Sequence, residues 1–282
     1  MPIYFPQIGS TGITTQKPYV SGRSFNTVMA VPEAARPYSW AKYSGGLTNF
    51  PTGPLGAFKV NYLNITDAER NVLLTFFRDT AEGRLQEFVY LDPGGNLVTY
   101  SEDFSQAYWN KTGVSVGSAV SDPWGGNRAT TLTATTSNSQ MFGLVLPAGN
   151  ASGYVLTASV FCRAHSAGQT MSVGFANAAF TPIGETYDTP LPQNQWVRVE
   201  YSITLATSSN INIQLGGYNS WNATAIDFFG AQCVSLPGAG GYRKTPGSSG
   251  YRAKCRFDTD EFSFSQKDIN QNTLSLGIIE YF

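Results

Sequence analysis

From about residue 96 helical signals almost vanish, and short runs of two-residue alternation recur between Gly, Asn and Pro turns. Leu156, Ala158, Val160 and Cys162 fall on one side of such a run, with Thr157, Ser159 and Phe161 between them. Met171, Val173 and Phe175 alternate with small residues, and Val197, Val199, Tyr201, Ile203 and Leu205 alternate with Arg198, Glu200, Ser202 and Thr204. Ile211, Ile213 and Leu215 alternate with Asn212 and Gln214, and Ile226 and Phe228 continue the pattern. Successive side chains point to opposite faces of a strand, so each run predicts a strand with one face in a core. Several such runs at this spacing predict an antiparallel β-sandwich, a jelly roll, of roughly 150 residues. Composition agrees. Charged residues are 13% of the chain, about half the usual share, while aromatic residues, also 13%, suit strands.

The flanks read differently. The first fifty residues, rich in Pro, Gly, Ser and Tyr, predict extended segments and loops with two short strands. Phe58, Val60 and Tyr62 alternate with Lys59 and Asn61 as a half-buried strand. One helix follows. Thr66-Asp67-Ala68-Glu69 is a capping box, in which a threonine hydroxyl and a glutamate three residues on satisfy each other's backbone N–H groups. Ala68, Val72, Leu73, Phe76 and Phe77 predict its apolar stripe and Gly83 its end. Gln86 to Leu91 is a strand stopped by Asp92-Pro93-Gly94-Gly95. Leu236 to Gly250, dense in Gly and Pro, reads as a linker, and Tyr251–Phe264 and Leu274–Phe282 as closing strands that pack the C-terminus. The fold class is therefore mainly β. Residues 1–95 and 247–282 form a discontinuous β domain with one helix, and residues 96–246 form an inserted antiparallel sandwich.

A net charge of -1 with no Lys/Arg run offers no footprint for nucleic acid. The N-terminus lacks a basic and apolar signal pattern, and no apolar stretch reaches the roughly 20 residues of a membrane helix, so no membrane insertion is expected. Cys162, Cys233 and Cys255 are widely spaced and odd in number. They read as buried thiols of a protein made in a reducing cytosol, with a Cys162–Cys233 disulfide as the alternative.

Chemistry is sparse. The one histidine, His165, lies between a strand and a turn and reads as a solvated loop residue, and the cysteines lack the spacing of a zinc site. No catalytic residue, metal site or cofactor is expected. Glu102, Asp103, Glu185, Asp188 and Asp227 are carboxylates a glycosidase could use, but nothing in the sequence pairs them. Asp227 alternates with core residues and belongs on an outer strand face, and Glu102 and Asp103 read as turn residues. Asp103, Asp122 and Asp227 could ligate calcium, though no dense Asp/Asn loop surrounds them. Sugar binding needs aromatic faces among amides and hydroxyls, and two loops fit. In Ser121 to Arg128, Gly and Pro neighbours point to an exposed Trp124; in Gly216 to Asn222, Tyr218, Asn219 and Trp221 lie together. The alternative for both indoles is packing at the ends of the sandwich. Trp109 and Trp196 adjoin strands and read as core, and Trp40, with Tyr38 and Tyr43, reads as packing in the flank.

Two resemblances follow from particular segments. Residues 96–112, NLVTYSEDFSQAYWNKT, resemble the opening of the carbohydrate-binding-type jelly-roll modules common in phage tail proteins, and residues 225–232, AIDFFGAQ, resemble that module's last core strand. In the flanks, Phe76-Phe77-Arg78-Asp79, residues 82–88 (EGRLQEF), Asp92-Pro93 and residues 255–260 (CRFDTD) resemble the bacteriophage distal tail proteins. The resemblance implies a non-enzymatic virion component, assembled in the host cytoplasm. It would form a ring, usually a hexamer, that joins the tail tube protein to the hub and tip proteins, with a sandwich able to bind host-surface glycan. The competing reading is a free-standing carbohydrate-binding protein or a glycan hydrolase.

Overall fold

The computed structural model describes residues 2–7 and 56–280, apart from residue 150 and residues 185–187, 207–208, 218–220 and 222–223. Of the first fifty residues, where two short strands are expected, residues 2–7 are described and Tyr4 bridges Val89; the rest, with Tyr38, Trp40 and Tyr43, lies outside the described residues, as do Glu185, Tyr218 and Asn219. In chain order the elements are β1 (Gly56–Ile65), α1 (Asp67–Thr75), a π turn (Phe76–Thr80) and β2 (Phe88–Leu91). Next come β3 (Asn110–Thr112), β4 (Val114–Val120), β5 (Ala129–Ala134), β6 (Gln140–Leu146), β7 (Val155–Ala164), β8 (Thr170–Met171) and β9 (Val173–Ala176). They are followed by β10 (Pro182–Ile183), β11 (Thr189–Pro190), β12 (Trp196–Thr204), β13 (Ile211–Gly216) and β14 (Ala225–Val234). The last are β15 (Tyr251–Phe257), β16 (Phe264–Asp268) and β17 (Gln271–Glu280). The fold is mainly β, and its strands gather into two compact units, one of Leu91–Tyr251 and one of Pro2–Tyr90 with Arg252–Phe282.

In the unit made of two chain segments, the sheet runs β1-β17-β15-β2, with β16 paired to β17. The β1–β17 register sets Phe58, Val60 and Tyr62 opposite Ile278, Leu276 and Leu274, and all six are buried. The capping box forms as the sequence predicts. The Thr66 hydroxyl accepts from the Glu69 N–H at 3.2 Å, and the Thr66 N–H donates to the Glu69 carboxylate at 2.8 Å. This draws Glu69 over the first turn, so the buried stripe begins at Glu69 and Leu73 while Ala68 is exposed, contrary to the sequence expectation. The last turn widens to i→i+5 bonding, with Ala81 N–H donating to Phe76 C=O. That widening lets the neighbours Phe76 and Phe77 both reach the core. Their rings meet Phe88 at 5.4 Å and Phe257 at 4.8 Å respectively.

The other unit is a sandwich of two five-stranded antiparallel sheets, β10-β9-β13-β6-β3 and β12-β7-β14-β5-β4, with β8 and β11 as a separate pair. The inward positions read from the alternation, Leu156, Ala158, Val160 and Cys162 on β7 and Ile211, Ile213 and Leu215 on β13, are all buried. Phe104, Trp109, Trp221 and Phe228 fill the same core. All three cysteines are free and buried, without the alternative Cys162–Cys233 bond.

The Leu236–Gly250 segment is not a linker. Gln232 donates to the carbonyls of Ala239 and Gly241, and the Arg243 N–H donates back to Gln232 at 2.8 Å. Further on, Gly247 N–H bonds Thr99 C=O, Gly250 N–H bonds Asn96 C=O and Asp92 N–H bonds Gly250 C=O, so the first and last stretches of the sandwich run side by side. Gly250 there serves close approach: a Cβ on Gly95 would sit 2.7 Å from the Gly250 Cα.

Candidate functional site

Strand register fixes what the outer face of the β12-β7-β14-β5-β4 sheet displays. Trp196 lies opposite Arg163, Arg163 opposite Asp227, and Asp227 opposite Thr131, which makes one row across four strands. The next row is Arg198, Phe161 and Phe229, and the one beyond it is Glu200, Ser159 and Gln232. Aromatic and charged side chains thus share a face whose reverse side is the apolar core.

Asp227 organises the first row. Its carboxylate accepts from Thr131 Oγ1 at 2.6 Å, Arg163 Nε at 2.9 Å, Arg163 Nη2 at 2.8 Å and His165 Nε2 at 2.9 Å. Burial disfavours the charged carboxylate, but the hydrogen bonds from Thr131, Arg163 and His165 outweigh it and hold its pKa below the ordinary aspartate range. The Arg163 guanidinium also lies 4.9 Å from the centre of the half-buried Trp196 ring. His165 is an exposed loop residue, as expected, and in addition partners Asp227. Asp227 is on the outer strand face, as its alternation predicts, yet it is buried beneath its partners.

Trp124 sits over the second row. Its loop is held from below by Asp122, which accepts from the Trp124 N–H at 2.8 Å, the Gly126 N–H at 3.2 Å and Arg128 Nε at 2.8 Å. Burial opposes the ionised Asp122, and its Arg128 and backbone partners more than compensate, lowering its pKa. The Trp124 ring meets Phe161 and Phe229 edge-on at 5.3 and 5.1 Å and lies nearly parallel to Tyr242, 5.8 Å away with 18° between the planes. It remains 57% exposed. Tyr242 is anchored through its hydroxyl, 2.8 Å from Ser101 Oγ and 3.1 Å from Glu102 Oε1. Gly230 makes room for it: φ there is +64°, and a Cβ would come within 2.9 Å of the Tyr242 ring. The arrangement is a rigid, half-open aromatic platform, the kind of surface that stacks on an apolar ring face.

Of the four residues expected to bind sugar, Tyr218 and Asn219 lie outside the described residues, and the other two have different surroundings. Trp124 is exposed over the β12-β7-β14-β5-β4 sheet, whereas Trp221 lies between β13 of the other sheet and β14. Trp221 offers no platform. It is 1% exposed, packs on Phe228 at 5.0 Å and gives its indole N–H to Thr224 C=O. The core takes this ring because Gly216 has no side chain: a Cβ there would lie 2.9 Å from the indole. Trp109 is buried as expected. Asp103 caps its turn, accepting from the Ser105 N–H and the Gln106 amide, and Glu102 belongs to the Tyr242 network. Sequence reading missed Tyr242, hidden in the supposed linker, and Arg128. The usable signal was Asp122 and Arg128 bracketing a Gly-Gly turn, opposite charges able to close a loop.

No protein-family model and no curated protein matches the chain. Solved structures with a similar strand arrangement include the CBM22-1 xylan-binding domain from Paenibacillus barcinonensis, at 13% identity and a TM-score of 0.38, with 51% of this chain and 96% of that one covered. A xylan-binding domain of CBM 22 matches at 12% identity and a TM-score of 0.40, over 51% of this chain and 96% of that one. The enzymatically active domain of bacteriophage CBA120 tailspike protein 4 matches at 14% identity and a TM-score of 0.37, over 51% of this chain but 22% of that one. Likenesses at this level do not extend to function.

Proposed function

We propose that this protein is a non-enzymatic component of a phage tail tip. Its two-segment β unit would assemble as a ring, a hexamer, between tail tube and hub proteins, and its sandwich would hold host-surface glycan on the Trp124 platform. The observation that carries the glycan reading is Trp124, a large aromatic left 57% exposed on a loop that a buried carboxylate fixes from below. Holding an exposed indole rigid lowers the ordering cost of stacking on a sugar ring. A binding role without catalysis is supported by Asp122 and Asp227, both engaged in ion pairs and held ionised, which suits anchoring arginines better than donating protons.

Titration calorimetry of the full chain against oligosaccharides released from bacterial capsule and cell-wall preparations tests the glycan reading. Trp124→Ala should weaken binding by about tenfold or more while the chain stays folded with a modestly lower melting temperature, because the ring is half solvated but packs on Phe161, Phe229 and Tyr242. Equal affinity in wild type and variant would sink it. The tail reading has a separate test, the solution mass by light scattering over a concentration series. A ring-sized oligomer is expected, and a monomer at every concentration favours the competing reading, a free-standing carbohydrate-binding protein.

A further inference from the structure

Around the Trp124 platform the charges are layered. The carboxylates lie underneath, with side chains 0% exposed at Asp122, 9% at Glu102 and 2% at Asp227. Their cationic partners lie on top, with side chains 43% exposed at Arg128 and 52% at Lys244. Glu102 ties the groups together, meeting Lys244 Nζ at 2.6 Å, the Tyr242 hydroxyl at 3.1 Å and Arg128 Nη1 at 3.4 Å. Arg128 Nε faces Asp122, and its guanidinium carbon stands 5.1 Å from the Phe229 ring centre. Both cations are thus held in place from below. Among the described contacts, Arg128 Nη2 has no partner and Lys244 has Glu102 alone. A ligand arriving over Trp124 and Tyr242 meets N–H donors on positive groups, while the neutralising acceptors are recessed. Neutral sugars offer hydroxyls that need acceptors as much as donors. Carboxylate and phosphate groups need donors only, and a guanidinium fork fits either.

We infer that the Trp124 platform selects acidic glycans, polysaccharides bearing carboxylate or phosphate groups, through Arg128 and Lys244 beside the stacked rings. The inference rests on the glycan reading of this surface and adds the class of sugar.

The experiment measures binding of the full chain to polygalacturonate oligomers and to a poly(glycerol phosphate) teichoic acid, with neutral dextran and galactan oligomers alongside, at low and high ionic strength. The two acidic probes separate carboxylate from phosphate recognition. At least one should bind about tenfold more tightly than the neutral oligomers, and high salt should erase that advantage. Arg128→Gln and Lys244→Gln should each remove most of the advantage, read as the ratio of acidic to neutral affinity. Lys244 is exposed and lies outside the Asp122 loop, so it remains informative if Arg128→Gln loosens that loop. Trp124→Ala should weaken acidic and neutral probes alike. Acidic and neutral probes binding equally, or both charge variants behaving as wild type while Trp124→Ala still weakens binding, would overturn the acidic preference and leave the platform standing. If no probe of either kind binds, the glycan reading falls and the acidic preference falls with it.

Discussion

Trp109→Ala should destabilise the sandwich by about 3–5 kcal/mol, the range for removing a buried aromatic side chain. Trp109 is 2% exposed, lies 5.4 Å from Phe104 and 5.1 Å from Tyr108 between ring centres, and donates its indole N–H to Tyr100 C=O at 3.1 Å. The substitution opens a void among rings that cannot collapse together and leaves that carbonyl without its donor. Trp109→Phe keeps most of the volume and loses only the hydrogen bond, so it should cost much less. Urea unfolding of the three proteins measures this. A loss below about 1 kcal/mol in Trp109→Ala would mean that the ring is not part of a packed core.

The second large effect is expected at Asp227. Replacing it with Asn removes the charge that Arg163 and His165 face and weakens the acceptor for Thr131. Loss of one partner from a largely buried ion pair leaves the other partly uncompensated, at a cost of about 2–4 kcal/mol at neutral pH. The effect carries a pH signature. The folded-state pKa of Asp227 is depressed, so the unfolded chain takes up its proton first as pH falls. The stabilisation is fully present above the unfolded aspartate value, about 3.9, and is lost as pH drops through the lower folded value. The stability gap between wild type and Asp227→Asn should therefore be widest near neutrality and narrow below about pH 4. A gap that stays constant from neutral pH to pH 3 would show that packing, not charge, sets it.

Much of this fold is visible in residue order because its rules are local. The period of two on β7 and β13 gives the inward faces, and Thr66 with Glu69 gives the start of the helix. What stayed hidden depends on pairs far apart in sequence. Nothing local tells that Tyr242 will stack on Trp124, or that the Gly-rich stretch around it will lie on β14. Trp221 and Trp124 occupy similar Gly- and Asn-rich loops, so composition treats them alike. Their fates differ because Gly216 leaves a space for one indole and Asp122 holds the other outward. Asp227 shows the same limit. Alternation assigns its face, but only the β7–β14 register brings Arg163 and His165 over it and buries it.

The seam at Gly95 and Gly250 bears on how such a chain could be built and rebuilt. A chain that leaves the sandwich where it came in has made almost no net displacement. To the segments on either side, some 150 residues of sandwich amount to a short turn, and the closure entropy of so long a loop, which grows with the logarithm of its length, is met inside the sandwich by its own hydrogen bonds. Cutting there and rejoining the two ends would leave the neighbouring strands at almost the same separation.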